Sequence, residues 1–326
     1  MSADMPSPAF DGRSIPDAAR ESLWQARDGH AIRRIDWRHS QDTPVRGAIL
    51  FAPGRGDCYE KHLLVLDHWY RQGWNVTSMD WRGQGMSGRY GADLVTGHID
   101  SFDGWIDDLA GFWEAWRADM PGPHVAIGHS MGGHLTLRAV ADRAIVPDAV
   151  VLVAPMLGLN PGWVPARALH PLGLAIRAMG DKRRPAWKVS ELPLSLASAR
   201  MQLLTHDEVA YNDEGWWYDQ RPDLITGPPS WGWIVAAIAS IERMDRRGVL
   251  EGVSLPVLIL GTTADRLVSW RAIRRAAIRL PRAELVGFGP ESRHEILREV
   301  PAVRDRALTA ITEFLDRQAP QVRRDG

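Results

Sequence analysis

A serine lies at the centre of the segment Gly128-His129-Ser130-Met131-Gly132-Gly133. The apolar residues before this segment predict a strand and those after it predict a helix, a context in which the pattern Gly-x-Ser-x-Gly forms a sharp turn. Such a turn strains the serine backbone, and small residues two positions away on either side prevent collisions. We therefore predict that the Ser130 hydroxyl projects above a sheet as a nucleophile.

A serine hydroxyl is a weak nucleophile unless a base lies beside it. In proteins built around this turn, the acid of the triad follows the serine in the chain and the histidine follows the acid. Asp265 comes shortly after the apolar run 257–260, and His294 is the one histidine after Asp265. The alternatives are a helix N-cap for Asp265 and an ordinary surface-loop histidine for His294. Chain order and context favour a catalytic triad of Ser130, Asp265 and His294.

Two backbone amides are candidates for an oxyanion hole. The Met131 N–H is free at the start of the predicted helix, where partial positive charge favours an oxyanion. The second amide is that of Arg55, in the loop after an early strand, because Gly54 lets the backbone turn toward the serine. The Arg55 side chain could also meet an anionic headgroup, and the alternative is a solvated arginine in an ordinary turn.

Three other patterns receive no catalytic, cofactor or metal assignment. Residues 83–88 spell Gly-x-Gly-x-x-Gly, but no helix is predicted to open there, and a pyrophosphate site needs a helix N-terminus. Cys58 is the single cysteine, so an intramolecular disulfide and a CxxC site are excluded and simple packing is expected. The histidine pairs lack a third ligand at metal-binding spacing, so we predict no metal and no cofactor: His62 with His68, and His124 with His129.

The elements that must position these residues alternate along the chain. We predict strands at 31–38, 46–52, 75–81, 124–127, 149–154, 257–260 and 284–288, the first two adjacent, and helices at 59–72 and 102–120. The Val-rich run 149–154 is typical of a strand buried on both faces. This order predicts an α/β fold with a doubly wound, mostly parallel sheet.

Residues 156–241 interrupt this alternation. They carry helical patterns and many prolines without a convincing strand, and the sequence therefore predicts a helical cap inserted into a core of residues 21–155 and 242–326. Within the insertion, apolar residues recur at helical spacing over 164–179 and three cations follow at 182–184. This segment is either a lid that rests on a lipid interface or a face that packs on the sheet. Residues 1–20 have no apolar signal-peptide region and are expected to be a disordered lead-in.

Composition restricts the kinds of partner and the cellular location that this chain is expected to have. With 39 basic and 40 acidic residues the net charge is -1, so no overall field would attract nucleic acid or an anionic surface. A hydrophobic share of 45% is ordinary for a soluble globular protein. No uncharged stretch reaches the roughly 18 to 20 apolar residues of a membrane span. A single cysteine fits the reducing cytoplasm, and any membrane contact is expected to be local and peripheral, through the cap.

Five motifs together resemble a known family: residues 53–55, 80–88, 128–133, 265–268 and 294–297. Over residues 30–318 the chain resembles the bacterial lysophospholipase and monoacylglycerol lipase branch of the α/β-hydrolases, also called the serine aminopeptidase-like group. The resemblance implies the α/β-hydrolase fold, a triad at Ser130, Asp265 and His294, and a helical cap that shapes an acyl pocket. Pro53-Gly54 replaces the His-Gly that is usual in monoacylglycerol lipases, and is closer to the lysophospholipases.

These observations predict a serine hydrolase that cleaves the carboxylic ester of a single-chain lipid, a lysophospholipid or a monoacylglycerol, through an acyl-enzyme. One alternative is an aminopeptidase or amidase with the same triad. An acidic cluster that binds an α-amine would support it, and the sequence offers Asp207, Glu208, Asp213 and Glu214. Another alternative is a non-catalytic hydrolase fold that senses a ligand, although the complete triad weighs against it.

Overall fold

Eight strands and seven α-helices make up the described part of the computed structural model, which covers residues 10–40, 42–160, 180–186 and 200–320 and positions 171, 174, 175 and 178. The strands are β1 (Ala19–Gln25), β2 (Ala31–Trp37), β3 (Gly47–Ala52), β4 (Trp74–Met79), β5 (His124–His129), β6 (Ala149–Val153), β7 (Val257–Thr262) and β8 (Ala283–Phe288). The helices are α1 (Leu63–Arg71), α2 (Asp103–Asp119), α3 (Met131–Ala141), α4 (Glu208–Gln220), α5 (Trp231–Asp245), α6 (Trp270–Arg279) and α7 (Pro301–Gln318).

All eight strands form one sheet in the order β1-β2-β4-β3-β5-β6-β7-β8. β1 pairs with β2 and β2 pairs with β4 antiparallel, whereas every other neighbouring pair is parallel. The carboxyl ends of β3, β5 and β7 therefore meet at one edge of the sheet, and the loops that follow them lie side by side. The predicted doubly wound, mostly parallel sheet is confirmed.

Helices cover both faces of the sheet, which explains the continuous apolar runs of the inner strands. Successive residues of one strand point to opposite faces. In β3, Ile49 packs in the core that includes Trp69 of α1, and Leu50 packs in the core that includes Trp105 of α2. β3, β4, β6 and β7 are accordingly buried at every position.

The order of the first strands corrects one prediction. β2 and β3 were expected to be adjacent, but β4 lies between them, antiparallel to β2 and parallel to β3. After β3 the chain crosses over through α1 and returns as β4. β4 is buried throughout and so requires an interior place, whereas β2 carries polar residues such as Arg34 and tolerates a position nearer the edge.

The lead-in predicted for residues 1–20 also requires correction. β1 begins at Ala19, and Gly12 accepts a hydrogen bond of 2.8 Å from the indole N–H of Trp217. Arg13 pairs with Asp213 at 2.7 Å. β1 is an edge strand whose side chains are mostly exposed, so its sequence lacks the apolar run by which strands are recognised. Its stability comes from pairing with β2 instead.

In the described part of residues 156–241 the regular elements are helical. α5 ends at Asp245 and so extends beyond the predicted end of the insertion at residue 241. Within α5, the Ser240 hydroxyl lies 2.9 Å from the Arg138 guanidinium and 2.7 Å from Nε2 of His134, both on α3 of the core. The predicted lid, residues 164–179, lies outside the described residues, apart from positions 171, 174, 175 and 178, which are helical. Among the described helices, none combines the length and apolar character that a membrane span requires.

Candidate active site

Ser130 stands between β5 and α3 with φ of 52° and ψ of -116°, a conformation that residues with a side chain rarely adopt. The flanking glycines make this turn sterically feasible. A Cβ at Gly128 would lie 2.7 Å from the carbonyl of Gly132, and a Cβ at Gly132 would overlap the carbonyl oxygen of Ala52. The strand-turn-helix predicted from the sequence is therefore present, with Ser130 at its apex.

The structure brings the three predicted triad residues into one hydrogen-bonded chain. Nε2 of His294 lies 2.9 Å from Oγ of Ser130, and Nδ1 of His294 lies 2.7 Å from Oδ2 of Asp265. Asp265 and His294 are buried, and Ser130 is partly accessible. With its Nδ1 proton donated to the carboxylate, the imidazole presents an unprotonated Nε2 to the serine.

Backbone amides fix the Asp265 carboxylate from its other side. Oδ1 accepts hydrogen bonds of 2.8 Å from the Leu267 N–H and 2.9 Å from the Val268 N–H. Burial disfavours the charged carboxyl, but the charge and hydrogen bond of His294 and these two amides outweigh burial, so the pKa of Asp265 is lowered. Ser269 caps helix α6, so the N-cap alternative for Asp265 does not apply.

Burial of the imidazole disfavours its charged form, whereas the Asp265 carboxylate beside it favours that form. Glu295 and Asp57 add weaker attraction, and the net result is a pKa of His294 raised above its ordinary value. A raised pKa makes His294 a stronger proton acceptor. The three groups are thus arranged for the serine proton to move to Nε2 while Asp265 stabilises the imidazolium.

The two amides predicted for an oxyanion hole lie on the loops that flank Ser130. Met131 is the buried first residue of α3. Arg55 belongs to the loop after β3, which passes close to the serine: a Cβ on Gly54 would lie 3.2 Å from the Cβ of Ser130. The Gly54 N–H donates to Oδ2 of Asp57 at 2.9 Å and stabilises this loop conformation. An oxyanion role for Arg55 and Met131 stays a prediction.

Behind the triad lies a buried ion network that the sequence reasoning missed. The Lys61 ammonium contacts carboxylate oxygens of Asp57 at 2.6 Å, Glu295 at 2.9 Å and Glu214 at 3.2 Å. Arg298 pairs with Glu214 at 3.3 Å and also with Glu295. The network joins the loop after β3, the residue after His294 and helix α4. A charged side chain directly beside a motif residue, such as Glu295, was the signal available in the sequence.

Asp57 also belongs to the grouping that comes nearest to a metal site. Asp57, His62 and His129 each offer one ligand atom, and these atoms lie within 4.8 Å of one another. The sequence argument compared histidine pairs and overlooked the carboxylate. We assign no metal here, because the Lys61 ammonium 2.6 Å from Asp57 Oδ1 already neutralises the one carboxylate. Burial lowers the pKa of His62 to about 4 and keeps this imidazole neutral.

Two further sequence features have structural roles. The segment 83–88 wraps around the buried Asp80 carboxylate: Met86 N–H donates to Oδ2 at 2.9 Å, and a Cβ on Gly85 would overlap that carboxylate. Its glycines therefore make room for a carboxylate of the protein itself. Cys58 is 1% exposed, and burial raises the pKa of its thiol well above the ordinary value, as expected for a packing residue.

Comparison with known proteins identifies the family. The model of the family "Serine aminopeptidase, S33" matches residues 43–301. Lysophospholipase L2 of Escherichia coli is 30% identical, over 90% of this chain and 89% of its own length. Monoacylglycerol lipase of Mycolicibacterium smegmatis is 23% identical, over 79% of this chain and 84% of its own length.

Solved structures support the same fold. A monoglyceride lipase from Saccharomyces cerevisiae in complex with a substrate analogue superimposes with a TM-score of 0.73 at 17% identity, covering 96% of this chain and all of that one. A monoacylglycerol lipase from Paleococcus ferrophilus gives a TM-score of 0.67 at 21% identity, covering 88% and 99%. The resemblance found in the sequence motifs is confirmed, and the chain belongs to the serine aminopeptidase S33 family of α/β-hydrolases.

Proposed function

We propose that this protein is a carboxylic ester hydrolase that releases the acyl chain of a single-chain lipid, a lysophospholipid or a monoacylglycerol, through an acyl-enzyme on Ser130. The observation that carries the proposal is the unbroken chain of hydrogen bonds from Ser130 through His294 to Asp265 at the apex of a strained turn. The names of the relatives, lysophospholipase L2 and monoacylglycerol lipase, support the substrate class.

Acylation begins as Oγ of Ser130 attacks the ester carbonyl carbon and its proton passes to Nε2 of His294. Asp265 holds the imidazolium in place, and the amides of Met131 and Arg55 bind the oxyanion of the tetrahedral intermediate. The imidazolium then gives its proton to the departing glycerol oxygen. In deacylation a water molecule loses its proton to His294, attacks the acyl carbon and releases the fatty acid, and Ser130 recovers its proton.

The acyl chain is bound beneath a cap formed by residues 156–241, and the core comprises residues 21–155 and 242–326 together with Ala19 and Arg20 of β1. Two contacts support a cap placed over the active site. Glu214 of α4 reaches the ion network beside His294, and the Arg55 guanidinium donates to the carbonyl of Gly227 at 2.9 Å. The cap is accordingly connected to the loops that carry the catalytic groups.

The amidase alternative requires a free acidic group to bind an α-ammonium. Of its candidates, Asp207 caps α4, Asp213 pairs with Arg13, and Glu214 is shared by three cations. The remaining candidate, Glu208, is exposed on the first turn of α4. These contacts disfavour an α-ammonium site for an aminoacyl substrate and so favour the ester hydrolase. The complete triad likewise weighs against a non-catalytic ligand sensor.

The enzyme acts in the cytoplasm and meets its lipid at the inner face of the membrane through the cap. The supporting residues are the cations at 182–184, of which Lys182 pairs with Asp100 at 2.6 Å and Arg183 with Asp181 at 2.9 Å. Both pairs are largely exposed, and such surface pairs contribute little to stability, so an anionic lipid surface can replace them.

A panel of purified-enzyme assays tests the proposal: lysophospholipid, monoacylglycerol, a short aryl ester and an aminoacyl amide. We expect the two lipids and the aryl ester to be hydrolysed, because one triad serves all three esters. At least one lipid should be preferred, because the proposed cap binds its acyl chain. Cleavage of the amide alone would transfer the assignment to an aminopeptidase, and no turnover of any member would favour a ligand sensor.

In the same panel, a variant with Lys182, Arg183 and Arg184 replaced by alanine tests the membrane contact. It should bind anionic vesicles less tightly and hydrolyse lysophospholipid within them more slowly, while turnover of the aryl ester should barely change. The matched control replaces three exposed cations of α6, namely Arg271, Arg274 and Arg275. Equal vesicle binding by the cap variant and the wild type would refute this contact.

A further inference from the structure

The Arg55 side chain contacts a backbone carbonyl and an aromatic ring rather than a carboxylate. One guanidinium nitrogen, Nη1, donates to the carbonyl of Gly227 at 2.9 Å, and the group lies 5.6 Å from the ring centre of Trp233. Within the described ranges it forms no ion pair with a carboxylate, whereas Lys61 contacts three carboxylates. The described residues supply an acceptor for one of its five guanidinium N–H groups, so the other four can bind a ligand.

The surroundings of Arg55 disfavour an uncompensated cation. Burial is the main cause and the positive charge of Arg200 the second, and together they lower the pKa of Arg55 to about 10, so the group stays charged at neutral pH. A desolvated charge without a counterion is costly, and an anionic ligand would relieve that cost. The environment is thus complementary to a negative charge supplied from outside the protein.

The carboxylates of the neighbouring ion network are already paired with cations other than Arg55. Three carboxylates are shared among three cations, Lys61, Arg200 and Arg298, so that group is balanced by itself: the carboxylates are Asp57, Glu214 and Glu295. His62 has a pKa lowered to about 4 and adds no charge. Arg55 is a further cation beside this balanced group, and no carboxylate of the group pairs with it. Of the three cations in this group, Arg200 is the most exposed, with 43% of its side chain accessible.

The location of Arg55 matches one part of the proposed substrate. Its backbone adjoins Gly54, whose Cβ position would be 3.2 Å from the Cβ of Ser130, and its side chain extends to the cap at Gly227. An ester carbonyl bound at Ser130 would thus have the Arg55 loop beside it and the Arg55 guanidinium on the side of the cap. In a lysophospholipid the glycerol carries both the ester and a phosphodiester with one negative charge, whereas a monoacylglycerol has no charge.

We propose that Arg55 binds the headgroup phosphate of a lysophospholipid and so selects this substrate over monoacylglycerol. The inference rests on the proposed ester hydrolase function and names the substrate class within it. The planar guanidinium matches two phosphate oxygens at once, a geometry that the single ammonium of a lysine does not reproduce.

The test compares kcat/KM for a lysophospholipid and a monoacylglycerol of the same acyl chain, both below their micelle concentrations, in the wild type, Arg55→Met and Arg55→Lys. The backbone amide of residue 55 is retained in each, so the ratio of the two values isolates the side chain. We expect Arg55→Met to lower this ratio by about 10- to 100-fold, mainly through KM for the lysophospholipid. Arg55→Lys should recover part of the loss, and Arg200→Met should lower the ratio less.

The matched control is Arg89→Met, because Arg89 also binds carbonyl oxygens of the cap, those of Asp223 and Ile225 at 2.6 and 2.9 Å. It should leave the ratio unchanged. Equal losses on both lipids in Arg55→Met would mean that Arg55 only fastens the cap, and would overturn the inference. A wild type that hydrolyses the aryl ester but neither lipid would refute the proposed function instead.

Inhibition separates a headgroup site from a site for free phosphate. Glycerophosphocholine should inhibit the wild type competitively and Arg55→Met at least tenfold less strongly, since it presents the same phosphodiester as the substrate. Inorganic phosphate should inhibit both proteins weakly. Stronger inhibition of the wild type by inorganic phosphate than by glycerophosphocholine would indicate an anion site unconnected with the headgroup, and would contradict the assignment.

Discussion

Ser130 and His294 are 164 positions apart in the chain, yet their functional atoms lie 2.9 Å apart. The sequence predicted this contact because the order of triad residues is restricted and few candidates follow Ser130. No comparable restriction applies to Lys61, whose carboxylate partners include residues 153 and 234 positions away. At the scale of single residues, a catalytic pattern was predictable, and the ion network that supports it was not.

The pKa of His294 leads to a prediction on pH dependence. The base must be neutral to accept the serine proton, and its pKa is raised above the ordinary 6.5. Lowering the pH through that raised pKa protonates Nε2 and removes activity, so kcat/KM should be level on the alkaline side and fall about tenfold per pH unit on the acid side. The midpoint should lie above 6.5.

A profile of kcat/KM on a soluble aryl ester, from about pH 5 to pH 9, measures this midpoint without any effect of lipid packing. The midpoint belongs to the free enzyme, so it can be compared directly with the environment of His294 in the structure. A midpoint well below 6.5, or a level profile down to about pH 5, would contradict a histidine base beside Asp265.

At the scale of elements, two loops and one helix meet at Lys61. Asp57 belongs to the loop after β3, Glu295 to the loop after β8, and Glu214 to α4. Removing one member of such a buried group leaves charge that water cannot reach and that the remaining members compensate only in part. The network therefore stabilises the loops that place the catalytic groups and couples them to α4.

Lys61→Met should lower the free energy of unfolding by about 3 to 5 kcal/mol, because it leaves buried carboxylates without their ammonium partner. Urea denaturation measures the change. The matched control is Lys182→Met, which removes an exposed pair with Asp100 and should cost at most about 1 kcal/mol. Similar small losses in both variants would show that the network contributes little to stability.

The strands differed in how readily the sequence revealed them. β6 is buried on both faces and reads as a Val-rich apolar run, so its position was predicted to within one residue. β1 is exposed along most of its length and was missed. The prediction that β3 lies next to β2 was also wrong. A hydrophobic pattern specifies that a strand is buried but not which strand pairs with it.

At the scale of the whole molecule, composition gives a misleading picture of the active site. The chain has a net charge of -1. Folding nevertheless gathers balanced ion pairs beside the triad and leaves Arg55 without a carboxylate partner among the described residues. Composition could exclude a general attraction to polyanions, whereas a local preference for one phosphate depends on contacts between distant segments.

The fold class, the family and the residues of the hydrogen-bonded triad were accessible from motifs, because each motif is short and its partners are restricted in order. The cap was predicted from the sequence only because residues 156–241 interrupt the alternation of strands and helices. Its contacts with the core, such as that of Arg55 with Gly227, join residues 172 positions apart and leave no trace in local sequence. The proposed selection of a lysophospholipid depends on those contacts.

The most direct test of the account is the rate of ester hydrolysis by Ser130→Ala. Loss of the nucleophile should reduce kcat by on the order of a millionfold, to the level of the background reaction, while the thermal unfolding temperature stays near that of the wild type. Ser101→Ala removes an exposed hydroxyl that donates to Asp103 and should retain full activity as the matched control. A Ser130→Ala protein that keeps activity within about tenfold of the wild type would contradict an acyl-enzyme on this serine.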